Sequence, residues 1–152
     1  MIQRKQTLFL LAALILNIIC LCLPLGHFVA DGNINSTSTM FNLWITMPNG
    51  SHNYSVWALF ATLLITCPIS LITIFMYHNR IVQSRFCIFN ILLILGWYAV
   101  YAVFAINLTE SIGHYKISFT SILPLIAVIL YLMARRAILA DEALVRAADR
   151  IR

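Results

Sequence analysis

The chain has 152 residues, of which 62% are hydrophobic and 10% charged, with a formal net charge of +5. Soluble domains carry roughly 25% charged and about 45–50% apolar residues, so an ordinary soluble domain is excluded, and the length leaves no room for a second module. The basic excess does not point to nucleic acid, because the ten Lys and Arg residues sit at the ends of apolar runs rather than along one face.

The opening MIQRKQ carries Arg4 and Lys5, and an apolar run of spanning length follows from about residue 7 to 25. A cleavable signal peptide has a shorter apolar core, roughly 7–15 residues, and a small-x-small site, which Gly26–Ala30 does not offer. The pattern predicts an uncleaved first span with the N-terminus inside.

Residues 26–56 form a polar outer loop. Asp31-Gly32 and Pro48-Asn49-Gly50 are turn signals, and the stretch between them, Thr39 to Met47, is rich in β-favouring residues. A short hairpin or strand is expected there, with Trp44 and Trp57 as anchors at the membrane interface. Triplets of the N-x-S/T type begin at Asn35, Asn49, Asn53 and Asn107, as a loop rich in Asn, Ser and Thr produces by composition.

The second span covers about residues 57–77 and holds Pro68 near its middle, where Thr66 and Ser70 are placed to satisfy the carbonyl that the proline frees. An inner turn, residues 78–85, carries Arg80 and Arg85. The third span, about 86–106, contains Asn90, Trp97 and Tyr101, the last two four apart on one helix face. A small outer loop, 107–116, precedes a fourth span of about 117–134, which holds Pro124 and ends at Arg135-Arg136. Threaded this way, nine of the ten basic residues fall inside and only Lys116 outside.

The tail, residues 135–152, is expected to continue the fourth helix or to lie as an amphipathic helix on the inner leaflet, with Glu142 four residues before Arg146. Its charged residues Arg135, Arg136, Asp141, Glu142, Arg146, Asp149 and Arg150 are candidate cytoplasmic docking groups.

Within the spans no residue is acidic or basic, so the usual mark of proton relays and ion-coupled carriers is missing. Asn17 and Asn90 are the polar residues that stand out there, and with Trp97 and Tyr101 they form the candidate intramembrane pocket. Cys20, Cys22, Cys67 and Cys87 lie in or beside apolar runs and read as buried free thiols. His27, His52, His78 and His114 are scattered over loops and span ends, and no catalytic set, metal-spaced cluster or cofactor motif is expected.

The residues at the two ends, Met1–Arg4, Gln6, Asp141, Glu142, Leu144–Arg146 and Ala148–Arg152, resemble a family of short four-span proteins from Bacteroidota, known only as a domain of unknown function. Its members begin MIQR-x-Q and end DE-x-LVR-x-ADR-[IL]-R. The resemblance implies a bacterial inner-membrane protein and brings no catalytic residues. In layout, four spans with a long strand-forming first outer loop are also similar to the claudins, and Asn42-Leu43-Trp44 is similar to their Gly-Leu-Trp, although the paired loop cysteines are absent.

These features together predict an all-α integral membrane protein. It is a single domain, a bundle of four transmembrane helices with a short β-hairpin or strand in the first outer loop and a cytoplasmic C-terminal helix. Both termini are expected in the cytoplasm. The expected role is non-enzymatic, that of an accessory or scaffold subunit meeting a membrane-protein partner or a second copy of itself within the lipid bilayer. The alternative is a small transporter, channel or lipid- or quinone-binding protein with a cavity near Asn17, Asn90 and Trp97.

Overall fold

A long apolar run away from water satisfies its own backbone by coiling, and the described residues do so four times. The computed structural model describes residues 3–29 and 37–149. It contains α1 (Gln3–Cys22), α2 (Trp57–Phe75), α3 (Arg80–Ile112) and α4 (Leu123–Asp149), each long and apolar enough to cross a membrane. α1 packs against α2 and α4, and α3 packs against the same two, which closes a four-membered ring. Leu8, Ile15, Ile72, Leu92, Leu95, Leu125 and Ile129 are exposed around its outside, an apolar exterior that suits lipid rather than water.

Five short strands cap one end: β1 (Gly26–Val29), β2 (Thr37–Met40), β3 (Ile45–Thr46), β4 (His52–Asn53) and β5 (His114–Ile117). They form one sheet in the order β4-β3-β2-β1-β5, with every pair antiparallel. The expected hairpin is therefore only the middle of a larger sheet. β1 follows directly on the first helix, and β5 comes from the second loop, more than eighty residues away. Phe28, Met40 and Ile45 face the bundle and are fully buried. On the opposite face the register aligns His52, Thr46, Thr39, His27 and Lys116 in one row across all five strands.

Two glycines make the sheet possible. A side chain at Gly26 would run into the ring of Tyr115, which lies over β1. Gly113, with φ 131°, breaks α3 so that the chain can turn back into β5.

The helices outrun the apolar segments. α3 has 33 residues, about 50 Å at 1.5 Å per residue, against a hydrocarbon core of about 30 Å. It begins at Arg80, so the link between α2 and α3 is shorter than the expected 78–85 turn. α4 starts later than Ile117, because residues 114–122 are spent on β5 and a 3₁₀ turn, Phe119–Ile122. Pro124 then falls in its first turn, where the missing N–H costs nothing. At its far end α4 continues without a break to Asp149, so the tail is a continuation of the fourth helix.

Candidate functional site

Buried polar side chains concentrate in three layers along the bundle axis. The layer beneath the sheet centres on Asn42, in the link between β2 and β3, which is fully buried. Its Nδ2 donates to the Cys20 carbonyl at 2.7 Å, and its Oδ1 accepts from the Trp97 indole at 3.1 Å. The first bond has a clear origin. The Cys20 carbonyl would ordinarily bond the N–H four residues on, but that residue is Pro24, which has none. Trp97 stacks on Tyr101 with ring centroids 5.2 Å apart. The Tyr101 hydroxyl meets those of Tyr115 at 2.7 Å and Ser121 at 3.0 Å, and Ser121 donates on to the Leu25 carbonyl at 2.9 Å. Tyr98 donates to the Ser121 carbonyl at 2.7 Å. Burial, with the Tyr101 hydrogen bond second, pushes the Tyr115 hydroxyl well above the usual tyrosine range.

The middle layer gathers around Tyr131, which is fully buried on α4. Its hydroxyl is bonded to Ser70 on α2. The Asn17 amide on α1 lies beside the same hydroxyl, yet neither of its polar atoms completes a hydrogen bond. Cys67 and Cys87 lie in the neighbourhood of the same hydroxyl. Asn90, one helical turn beyond Cys87, donates to the Phe86 carbonyl at 3.3 Å and leaves its Oδ1 without a partner.

The third layer closes the end opposite the sheet. Gln83 donates to the Thr73 carbonyl at 3.0 Å, Gln6 to the Ala137 carbonyl at 3.1 Å, and Arg80 to the Asp141 backbone carbonyl at 3.1 Å. The Arg80 guanidinium also faces the Asp141 carboxylate at 3.9 Å. Arg135 sits near Cys87, with its Nε buried and unbonded.

Of the four pocket candidates, Trp97 and Tyr101 belong to the tightly bonded layer under the sheet, whereas Asn17 and Asn90 lie in the middle layer. The structure brings Trp97 and Tyr101 together by stacking. Thr66 and Ser70 bond the carbonyls of Leu63 and Thr66 rather than that of Leu64, which faces Pro68.

Among the docking candidates, Arg136 is exposed, Glu142 pairs with Arg146 at 3.0 Å, and Asp141 is buried. Arg150 lies outside the described residues, as does the side chain of Asp149. Trp57 is exposed at the start of α2, and Trp44 contacts Phe41, His52 and Tyr54.

Asn42 is the residue that sequence reasoning missed. A polar side chain in a polar loop gives no sign that it will be buried, and only Pro24, which orphans a carbonyl, hints at the need.

No three metal-ligating side chains come together among the described residues. His27 and His52 are on β1 and β4, three strands apart, about 14 Å at the usual strand spacing, which is too far to share an ion. An open cleft of about 380 Å³ lies between the end of α3 and Tyr115, with Glu110 on its wall.

Four long apolar helices under a small antiparallel cap are the architecture of a multi-pass membrane protein. Within that class, residues 2–151 match the family model of a domain of unknown function, DUF4293, and the chain belongs to that family. No curated protein matches it.

Proposed function

We propose that the protein is a non-enzymatic accessory or scaffold subunit of a bacterial inner membrane, with both termini in the cytoplasm, and that it binds a membrane-protein partner through the end of α4. The observation that carries this reading is the change in α4 after Asp141. Up to that residue the helix is packed, with Ile138 and Asp141 buried. From Ala143 to Ala148 every residue is exposed, Leu144 and Val145 among them. A helix that keeps its form beyond its neighbours and presents aliphatic side chains offers a handle for another protein. Leu144 and Val145 also belong to the terminal residues through which the chain resembles its family, and both are exposed.

The test is a mild-detergent pull-down with mass spectrometry and sizing, comparing the full chain with one lacking residues 143–152. That cut spares Ile138 and Asp141, whereas a cut after Arg136 would strip packed residues and confuse unfolding with lost docking. A stoichiometric partner that disappears with residues 143–152 supports the reading. An unchanged set of partners sinks it.

The unbonded atoms of Asn17 and Asn90 favour a second reading, an intramembrane cavity serving a small transporter, channel or lipid- or quinone-binding protein. Trp97 and Tyr101 would then form its ceiling.

A further inference from the structure

Four buried side-chain polar atoms among the described residues have no hydrogen-bond partner: both amide atoms of Asn17, Oδ1 of Asn90 and Nε of Arg135. Their placement is one-sided. In the layer beneath the sheet, Asn42, Trp97, Tyr98, Tyr101 and Ser121 are all bonded. The orphans begin at the next layer and run toward the opposite end. A buried amide that bonds to nothing is among the least favourable arrangements in a protein interior, and native structures relieve it with ordered water.

The same stretch supplies what a water needs, which is two to four polar partners. Asn17 offers an unused donor and an unused acceptor. The Tyr131 hydroxyl lies beside it, already tied to Ser70. Cys87 and Asn90 are three apart on α3, and Tyr131 and Arg135 are four apart on α4, so each pair shares a helix face. Arg135 lies near Cys87 and is itself half-buried. These neighbour relations run in order from half-buried Arg135 to Cys87 with Asn90, then to Tyr131 and Asn17, a column of polar groups. Toward the sheet, Trp97 and Leu63 belong with Cys20 to one fully buried apolar cluster.

We propose that the bundle core holds an internal water-binding site along Asn17, Asn90 and Arg135, entered from the end opposite the sheet and closed beneath Trp97. It narrows the cavity reading by naming water as the occupant, and it stands apart from the docking role of α4. A failed exchange experiment leaves the tail reading intact, and a failed pull-down leaves the water site intact.

Two native thiols provide the test. Cys87 and Cys20 are both fully buried, but Cys87 borders the column while Cys20 lies in the bonded layer under the sheet. The full chain in phosphatidylcholine nanodiscs is flushed with heavy water, and the loss of each S–H stretching band is followed by infrared spectroscopy. Cys87→Ala and Cys20→Ala assign the bands. The Cys87 thiol is expected to exchange at least about tenfold faster than that of Cys20, and Asn90→Leu should bring Cys87 back to the Cys20 rate. Equal rates for the two thiols, or a faster Cys20, overturn the proposal. So does rapid Cys87 exchange that a folded Asn90→Leu variant leaves unchanged. If that variant does not fold, the comparison of the two thiols in the unmodified chain decides.

Discussion

Asn42 holds together parts of the chain that are distant in sequence, the end of α1, the middle of α3 and the loop between β2 and β3. Replacing it with Leu leaves the Trp97 N–H and the Cys20 carbonyl buried without partners, each worth about 1–3 kcal/mol. Asn42→Leu should therefore destabilise the protein by roughly 2–6 kcal/mol, read as a large drop in thermal midpoint in detergent. A midpoint within a degree or two of the parent would show that the loop does not enter the bundle. Gly26→Ala should act through the opposite fault, excess volume, because the added methyl meets the Tyr115 ring and not a flexible chain end. Overpacking of this kind costs about 1–3 kcal/mol, and trimming the obstacle with Tyr115→Ala should remove the penalty of the glycine change. Tyr115 also predicts a pH response. Its raised folded pKa means that the unfolded chain gives up the proton first, so stability is full below pH about 10 and falls as pH rises past it. Tyr115→Phe should flatten that alkaline slope in unfolding measurements. None of these three roles is visible in the sequence. Asn42 is a polar residue in a polar loop, Gly26 ends an apolar run, and Tyr115 lies in a ten-residue connection. Asn17 and Asn90, by contrast, stand out at once, because an amide inside an apolar run conflicts with its surroundings.

The helices were legible because each apolar run is long enough for its length to decide the matter. The sheet was only partly legible, for the opposite reason. Its strands are two to four residues long, too short for alternation to register, and β5 is joined to β1 by pairing between residues almost ninety positions apart. The far end of α4 shows a third case, in which the charges are obvious but their use is not. Asp141 reads as a solvated tail residue, yet it is buried against Arg80 from the start of α3. The guanidinium bonds the Asp141 backbone carbonyl at 3.1 Å and sits 3.9 Å from the carboxylate. The backbone contact survives when the side chain is removed. Asp141→Ala should thus cost about 1 kcal/mol or less, since the pair is long and the arginine is partly exposed. Arg80→Ala loses both interactions and should cost about 1–3 kcal/mol. That order, measured by thermal unfolding of the two variants, separates an anchor on the backbone from a simple ion pair. The reverse order would mean that the carboxylate is the principal partner.

The two ends of the whole molecule differ in charge as well as in structure. Among the described residues, Lys5, Arg80, Arg85, Arg135, Arg136 and Arg146 all lie at the end away from the sheet, and Lys116 is the only Lys or Arg on the sheet. Insertion retains short basic segments on the cytoplasmic side, and here the segments that count are the short turn between α2 and α3 and the ends of α1 and α4. The sheet should accordingly face out of the cell, displaying the row from His52 to Lys116, and the end of α4 should face the cytoplasm. Single cysteines at Ser51, in the turn before β4, and at Ala147, on the overhang of α4, distinguish the two sides. They are best placed in a background with native Cys22 replaced by serine, because that thiol is exposed and not buried as its apolar run predicts. A membrane-impermeant maleimide should label Ser51→Cys on intact cells and Ala147→Cys only after permeabilisation. Labelling of both on intact cells would place both ends on one side, which four crossing helices do not allow. The inverted pattern would leave the fold standing, but it would move the overhang of α4 out of the cytoplasm and with it the docking role assigned to that helix.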